Sequence, residues 1–246
     1  ERSMEEWLEK FSDSRNSMRA IAAKCVAADY DKEGNGDEII KRLIGMIKVE
    51  DVNTRRGAVQ CLGLIGEKIL DEITDLMLTT DDMMVRASCA KIIGAVALKN
   101  PDSVESFPQK CLDAMVKAAT EIPDPITKLS IMSGLSQIGT NNERALDAII
   151  LISQKSDDVA LLTQCMNTLG TIAESKPEWK GKIKKGLEDS KKAMKDLEGA
   201  EYVLQMVDVQ LEKVMGDGFI AAAASKGGKG DNDVALEKMK GFFSKM

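Results

Sequence analysis

The chain has 246 residues, of which 43% are hydrophobic, 30% are charged and 4% are aromatic, and its formal net charge is −6. It contains no histidine, which excludes imidazole acid–base catalysis, Ser-His and Cys-His nucleophile systems and imidazole metal sites. The acidic balance disfavours nucleic acid as a partner, and the low aromatic and proline content favours an all-α protein.

The first predicted elements lie in residues 4–27. Trp7, Leu8 and Phe11 share one face of a short N-terminal helix, which we expect to cover one end of the fold. A second helix follows, with Arg19 on a stripe of small apolar residues.

Residues 29–37 resemble the first half of an EF-hand calcium loop, with oxygen ligands at the first, third and fifth places and Gly34 at the sixth. The twelfth place holds Ile40 instead of the bidentate glutamate, and Gly36 stands where an apolar residue belongs. Calcium is therefore disfavoured, and we interpret the segment as a loop between helices.

A pattern then recurs along the chain, starting at an aspartate each time: Asp51, Asp82, Asp124 and Asp158. Each copy places apolar residues on one helical stripe, and the aspartate precedes that stripe, where its carboxylate can cap the helix. A basic residue follows four positions later in three copies: Arg55, Arg86 and Lys128. Small residues recur at a later position, where we expect close approach of a neighbouring helix: Gly63, Gly94, Ser136 and Gly170.

Other apolar stripes lie between these helices, in residues 39–47, 69–77, 112–119 and 146–153. The repeating unit is thus helix A, an aspartate turn and helix B. Such pairs bury their apolar faces only by stacking, which predicts an all-α fold: an α-solenoid, or superhelix, with a concave face.

The recurring pattern resembles the HEAT repeat, in its short HEAT-like or armadillo-type variety. The resemblance implies about five to six HEAT-like helical hairpins plus a short C-terminal helix. It also implies that the aspartate and basic side chains form a ladder between adjacent repeats.

The end of the chain divides into three predicted parts. Residues 1–215 form the solenoid, with residues 177–215 as a degenerate last pair and Asp196 in its capping slot. Residues 216–232 form a Gly-rich linker, and residues 233–246 form an amphipathic segment that either packs back or docks into a partner.

The five cysteines are odd in number and lack a CxxC spacing, so we expect reduced, mostly buried thiols in a cytoplasmic protein. No apolar run approaches the length of a transmembrane segment. The lysine-rich stretch 176–195 is interpreted as a solvated helix face, or alternatively as a site for an anionic partner.

These features predict a non-catalytic scaffold, adaptor or assembly subunit of a larger cytoplasmic complex, which binds a protein through the B-helix face and needs no cofactor. The predicted partner-binding residues are Arg55, Arg86, Lys128, Lys184, Lys185, Met239, Phe242 and Phe243. The alternative is a HEAT-like enzyme or lyase subunit, because such repeats also occur in bilin lyases and in alkylpurine DNA glycosylases.

Overall fold

The computed structural model of the protein describes residues 2–101 and 104–216. These residues form α-helices joined by turns and short 3-10 segments, with no strand among them. The helices are α1 (Met4–Glu9), α2 (Asn16–Asp29), α3 (Gly36–Met46), α4 (Val52–Ile65), α5 (Leu70–Thr79), α6 (Met83–Lys99), α7 (Gln109–Glu121), α8 (Pro125–Gly139), α9 (Glu143–Lys155), α10 (Val159–Ser175), α11 (Lys180–Met194) and α12 (Glu201–Met215).

The helices are arranged in two layers. The even-numbered helices α2 to α12 pack on one another in order and form the B layer. Helices α5, α7, α9 and α11 form the A layer in the same way, and α3 packs on α4 before them. Matching positions of successive B helices meet, as Lys128 does with Asp158, so the B helices run parallel. One continuous core extends from Leu8 to Val214. The predicted all-α solenoid is confirmed.

Aspartate caps start the four central B helices, as the sequence predicts. The carboxylates of Asp51, Asp82, Asp124 and Asp158 accept backbone N–H bonds from the first turn of α4, α6, α8 and α10, at 2.7–3.2 Å. Each cap satisfies donors that the helix itself cannot, which fixes where the B helix begins.

Small residues lie where the B helices approach closely. A Cβ built at Gly63 would stand 2.6 Å from the Cβ of Ala95, and one at Gly94 would stand 2.7 Å from the Cα of Gly134. Gly170 meets the side chain of Gln210 in the same way. The expectation of close approach is confirmed at these three glycines, while the fourth position, a serine, bonds to a threonine hydroxyl of α10 at 2.9 Å.

The last pair departs from one detail of the prediction. Asp196 lies in the turn after α11, beside Lys195, and caps no helix. The cap position of α12 belongs to Ala200, which offers no side-chain acceptor. The turn is longer than in the other pairs and includes Gly199 at φ +77°, so the register is displaced by four residues.

Helix α1 and the turn after it cover part of the N-terminal end, where the sequence predicts a cap. Ser3 and Glu6 form a reciprocal capping box at the start of α1, and Leu8 and Phe11 are fully buried. The Phe11 ring fills the space above Gly57 of α4, where a Cβ would lie 2.7 Å from the ring. Burying these two side chains against α2 and α4 covers the first repeat.

Gly216 is the last described residue, so the rest of the predicted linker and the whole of residues 233–246 lie outside the described residues. In the part of the chain that the structure describes, no helix has both the length and the apolar character needed to cross a membrane.

Candidate functional site

The outward side chains along α2, α4, α6, α8 and α10 form a surface that we call the B-helix face, whereas the exposed side chains of α12 are mostly charged. Most of its members are uncharged: Ser17, Ile21, Lys24, Ala28, Asn53, Arg56, Gln60, Leu64, Met84, Lys91, Ala95, Leu98, Ile126, Leu129, Ser133, Gln137, Ala160, Gln164, Asn167 and Thr171. Only Lys24, Arg56 and Lys91 of this set carry a charge. The face therefore suits recognition through apolar contact and amide or hydroxyl hydrogen bonds more than through charge.

Charged side chains pair with one another across the A layer. Lys110 of α7 lies 3.3 and 3.0 Å from Asp71 and Asp75, one turn apart on α5. Lys182 of α11 bridges two acids of α9 in the same arrangement, at 2.9 and 2.6 Å. Each of these exposed pairs contributes little to stability. Because the charges are paired with one another, they are less available for ionic contacts with a partner.

The predicted basic ladder is present at one full rung. The ammonium of Lys128 lies 3.1 Å from the carboxylate of Asp158 in the next repeat, and its side chain is only 13% exposed. Arg55 instead donates to two carbonyls of the turn before its own helix, at 2.7 Å each, and Arg86 donates to carbonyls at the end of α5. The guanidinium groups thus tie helix A to helix B within one repeat, which corrects the expected ladder at these positions.

The other predicted partner-binding residues are placed as follows. Lys184 lies on α11, 3.9 Å from Glu188, and Lys185 is exposed beside it. Met239, Phe242 and Phe243 lie outside the described residues. The structure brings Arg55, Arg86 and Lys128 to the same edge of the B layer and places the α11 lysines in the A layer. A partner role for any of them stays a prediction.

A cleft of about 750 Å³ opens at the N-terminal end, between α1, α2 and the turn that follows α2. The guanidinium of Arg2 covers the ring of Trp7 on one wall, 4.8 Å from the ring centre. Lys24 and Cys25 of α2 line another wall. Lys32 closes the rim and pairs with Asp29 at 2.9 Å.

The sequence pattern does not predict this cleft, because it places Trp7 in the end cap and does not separate Cys25 from the buried cysteines. The usable signal was that Trp7 and Lys24 both fall at the first repeat, where α1 is too short to cover the whole of α2.

The cysteines divide into two kinds. Cys61, Cys89, Cys111 and Cys165 are buried in the core, as predicted, whereas Cys25 is half-buried in the cleft. Burial raises the pKa of Cys61, Cys89 and Cys165 to about 12, and it also raises the pKa of Cys111. The four core thiols are thus hard to deprotonate at neutral pH, and Cys25 is the cysteine with the most access to solvent.

In the loop that resembles an EF-hand, the carboxylate of Asp31 has a structural role. Asp31 accepts the backbone N–H of Gly36 at 3.1 Å and so shapes the start of α3. Within residues 2–101 and 104–216, no group of three or more acidic or cysteine side chains is arranged to hold a metal ion.

The fold and its repeats define the class: this is a HEAT-like helical repeat protein. No family model matches the chain. Two curated relatives are similar to it. A phycocyanin operon protein Z of Pseudanabaena tenuis is 26% identical over 174 residues, covering 71% of this chain and 81% of that protein. The bilin biosynthesis protein CpeZ of a Synechococcus strain is 28% identical over 138 residues, covering 55% of this chain and 73% of that protein.

Among solved structures, similar chains include an engineered protein with a TM-score of 0.49 and 14% identity, covering 87% of this chain and 97% of its own. A designed armadillo repeat protein has a TM-score of 0.46 and 13% identity, covering 86% of this chain and all of its own.

The relatives overturn one prediction. We expected a protein that is not an enzyme, on the ground that the sequence holds no familiar catalytic grouping. A relative named for bilin biosynthesis contradicts that expectation and favours the lyase-subunit alternative. Sequence motifs could not reveal this, because repeat residues are set by packing and not by chemistry.

Proposed function

We propose that the chain acts in bilin biosynthesis as a lyase-type subunit, which holds a bilin and a pigment-binding protein together in the cytoplasm. The observation that carries this proposal is the similarity to the bilin biosynthesis protein CpeZ over 138 residues, supported by that to the phycocyanin operon protein Z. Both alignments cover more than two thirds of the relative.

The N-terminal cleft supports a bilin as the small-molecule substrate. A bilin is an open-chain tetrapyrrole with a conjugated π-system and two propionate groups. The cleft volume of about 750 Å³ falls in the range that holds ligands of this size. Lys24 offers a cation for one propionate, and Arg2, which stacks on the ring of Trp7, offers a second.

The B-helix face is the part of the molecule that best suits the pigment-binding protein. It begins at α2, beside the cleft, and continues across four further helices, α4, α6, α8 and α10. Its few charges and its exposed apolar and amide side chains fit a protein surface better than a nucleic acid backbone.

The function is tested by co-expressing a phycobiliprotein subunit with bilin-producing enzymes, with and without this chain. We expect covalently bound bilin on the subunit to increase when the chain is present, read as zinc-induced fluorescence of the denatured subunit. Equal bilin loading with and without the chain, across phycocyanin and phycoerythrin subunits, would refute the proposal.

The cleft is tested separately by titrating the purified full-length chain with a bilin and following its visible absorption. We expect Lys24→Glu to weaken binding by roughly five- to tenfold, since it turns an attractive charge into a repulsive one. Lys185→Glu makes the same charge change on α11, outside the cleft, and should leave the affinity unchanged. If both variants weaken binding equally, the bilin does not occupy the cleft.

A further inference from the structure

Large apolar side chains stay exposed where α6 and α8 begin. Met83 and Met84 form the first turn of α6, and Ile126 and Leu129 lie in the first turns of α8, with Met83 50% and Leu129 47% exposed. We call these four residues the apolar edge. Met83 and Ile126 line one groove of about 390 Å³ between the two helices, and Met84 and Leu129 are exposed on the same two helices.

The rim of the apolar edge is acidic. Asp81 and Asp82 precede α6 and are exposed, and Glu121 ends α7 with its side chain in solvent. The nearest cations are engaged elsewhere, because Arg86 donates to backbone carbonyls and Lys128 pairs with Asp158. An occupant of this surface should therefore be apolar and carry positive charges at its border.

The end of this chain has that chemistry. Its apolar residues include both members of the Phe242–Phe243 pair, and lysines are interleaved with them. The apolar set is Val234, Leu236, Met239, Phe242, Phe243 and Met246, and the basic set Lys238, Lys240 and Lys245 outnumbers the two acids, Asp233 and Glu237.

The connection is long enough for this segment to reach the edge. The B helices run parallel, so the apolar edge lies at the opposite end of the layer from Gly216, where α12 ends. The path runs back along α12, about 22 Å, and across two or three helix spacings of about 8–10 Å each, or about 30–35 Å in a straight line. Residues 217–232 span up to about 50 Å when extended and about 20–24 Å on average when flexible.

We propose that residues 233–246 dock in cis on the apolar edge, with their apolar side chains on Met83, Met84, Ile126 and Leu129 and their lysines toward the acidic rim. Tethering gives the segment an effective concentration in the millimolar range, so a weak interaction suffices to cover the edge. The segment then competes with any protein that approaches the same part of the B-helix face. This inference does not depend on the identity of the substrate.

The test uses the full-length chain with a photoreactive benzoylphenylalanine in place of Phe242. After irradiation we expect an intramolecular cross-link, on a monomeric band, that mass spectrometry maps to residues 83–84 or 126–129. A cross-link between two chains, a cross-link to another surface, or no cross-link would each overturn docking in cis at this edge.

A second set of variants keeps the test independent of the probe position. Leu129→Glu should reduce the cross-linked fraction at least about fivefold, because it places a charge in the apolar contact. Leu151→Glu is the matched control, because Leu151 is also exposed but lies on α9 in the A layer. Circular dichroism establishes that both variants are folded. Equal cross-linking in Leu129→Glu and Leu151→Glu would overturn the proposal even if the Phe242 probe reacts nearby.

Discussion

Gly94 lies where α6 and α8 pack backbone against backbone, and its replacement by alanine tests how tightly the two helices must approach. A Cβ at residue 94 would stand 2.7 Å from the Cα of Gly134, whereas two carbon atoms in contact need about 3.5–4.0 Å. The obstacle is backbone, so no side chain can rotate away. Helices α6 and α8 would have to separate by about 1 Å.

The expected magnitude is a balance of two effects. Overpacking of a well-packed contact costs about 1–3 kcal/mol, while replacing an interior helical glycine by alanine gains up to about 1 kcal/mol of helix propensity. We therefore expect Gly94→Ala to lower the free energy of unfolding by about 1–2 kcal/mol. For a chain of this length, that corresponds to a fall in Tm of roughly 2–8 °C.

Urea and thermal unfolding followed by far-UV circular dichroism measure this effect. Gly45→Ala in α3 is the matched control, because a Cβ there would meet no atom within 4 Å. We expect the control to be neutral or stabilised by about 0.5 kcal/mol. If Gly94→Ala is as stable as Gly45→Ala, the close approach of α6 and α8 does not constrain the fold and the reasoning fails.

Three further predictions concern the caps, the ladder and the thiols. Asp82→Ala should lower the free energy of unfolding by about 1 kcal/mol and Asp82→Asn by less, measured by urea unfolding, since only the first removes the acceptor for two N–H groups of α6. Although burial opposes it, hydrogen bonds from the Leu161 backbone and Lys128 hold the pKa of Asp158 below its ordinary value, so its contribution to stability is complete above about pH 4 and is lost on further acidification. Lys128→Met should reduce that acid sensitivity in urea titrations at a series of pH values. A maleimide should label one thiol quickly and four slowly in the folded chain, and Cys25→Ser should remove the fast phase.

Much of the fold was predictable because the same sequence pattern occurs in four copies. The aspartate caps, the glycine contacts and the parallel B helices follow from local pattern and from the need to bury a stripe that no single hairpin can cover. The cap of α12 was not predictable, because the turn before it is longer and Asp196 imitates the expected residue without occupying its place.

The candidate site was far less predictable. The cleft depends on how much of α2 the short helix α1 leaves open, which is a matter of helix length and angle that no motif records. The hydrogen-bond partners of Arg55 and Arg86 could not be predicted either. A guanidinium four residues after a cap can reach the next repeat or the backbone carbonyls of its own repeat. The packing of neighbouring helices decides which of these partners each arginine reaches, and this packing is not visible in the sequence of a single repeat.

The pKa shifts of the core thiols and of Asp158 have a consequence for the behaviour of the chain near neutral pH. The sequence has no imidazole, burial moves the core thiols to alkaline values, and the cap carboxylate of Asp158 is moved to acidic ones. None of these groups changes its charge between about pH 5 and 8, so they give the folding stability of the chain little pH dependence in that interval. The helical content measured by circular dichroism should therefore stay constant across that interval.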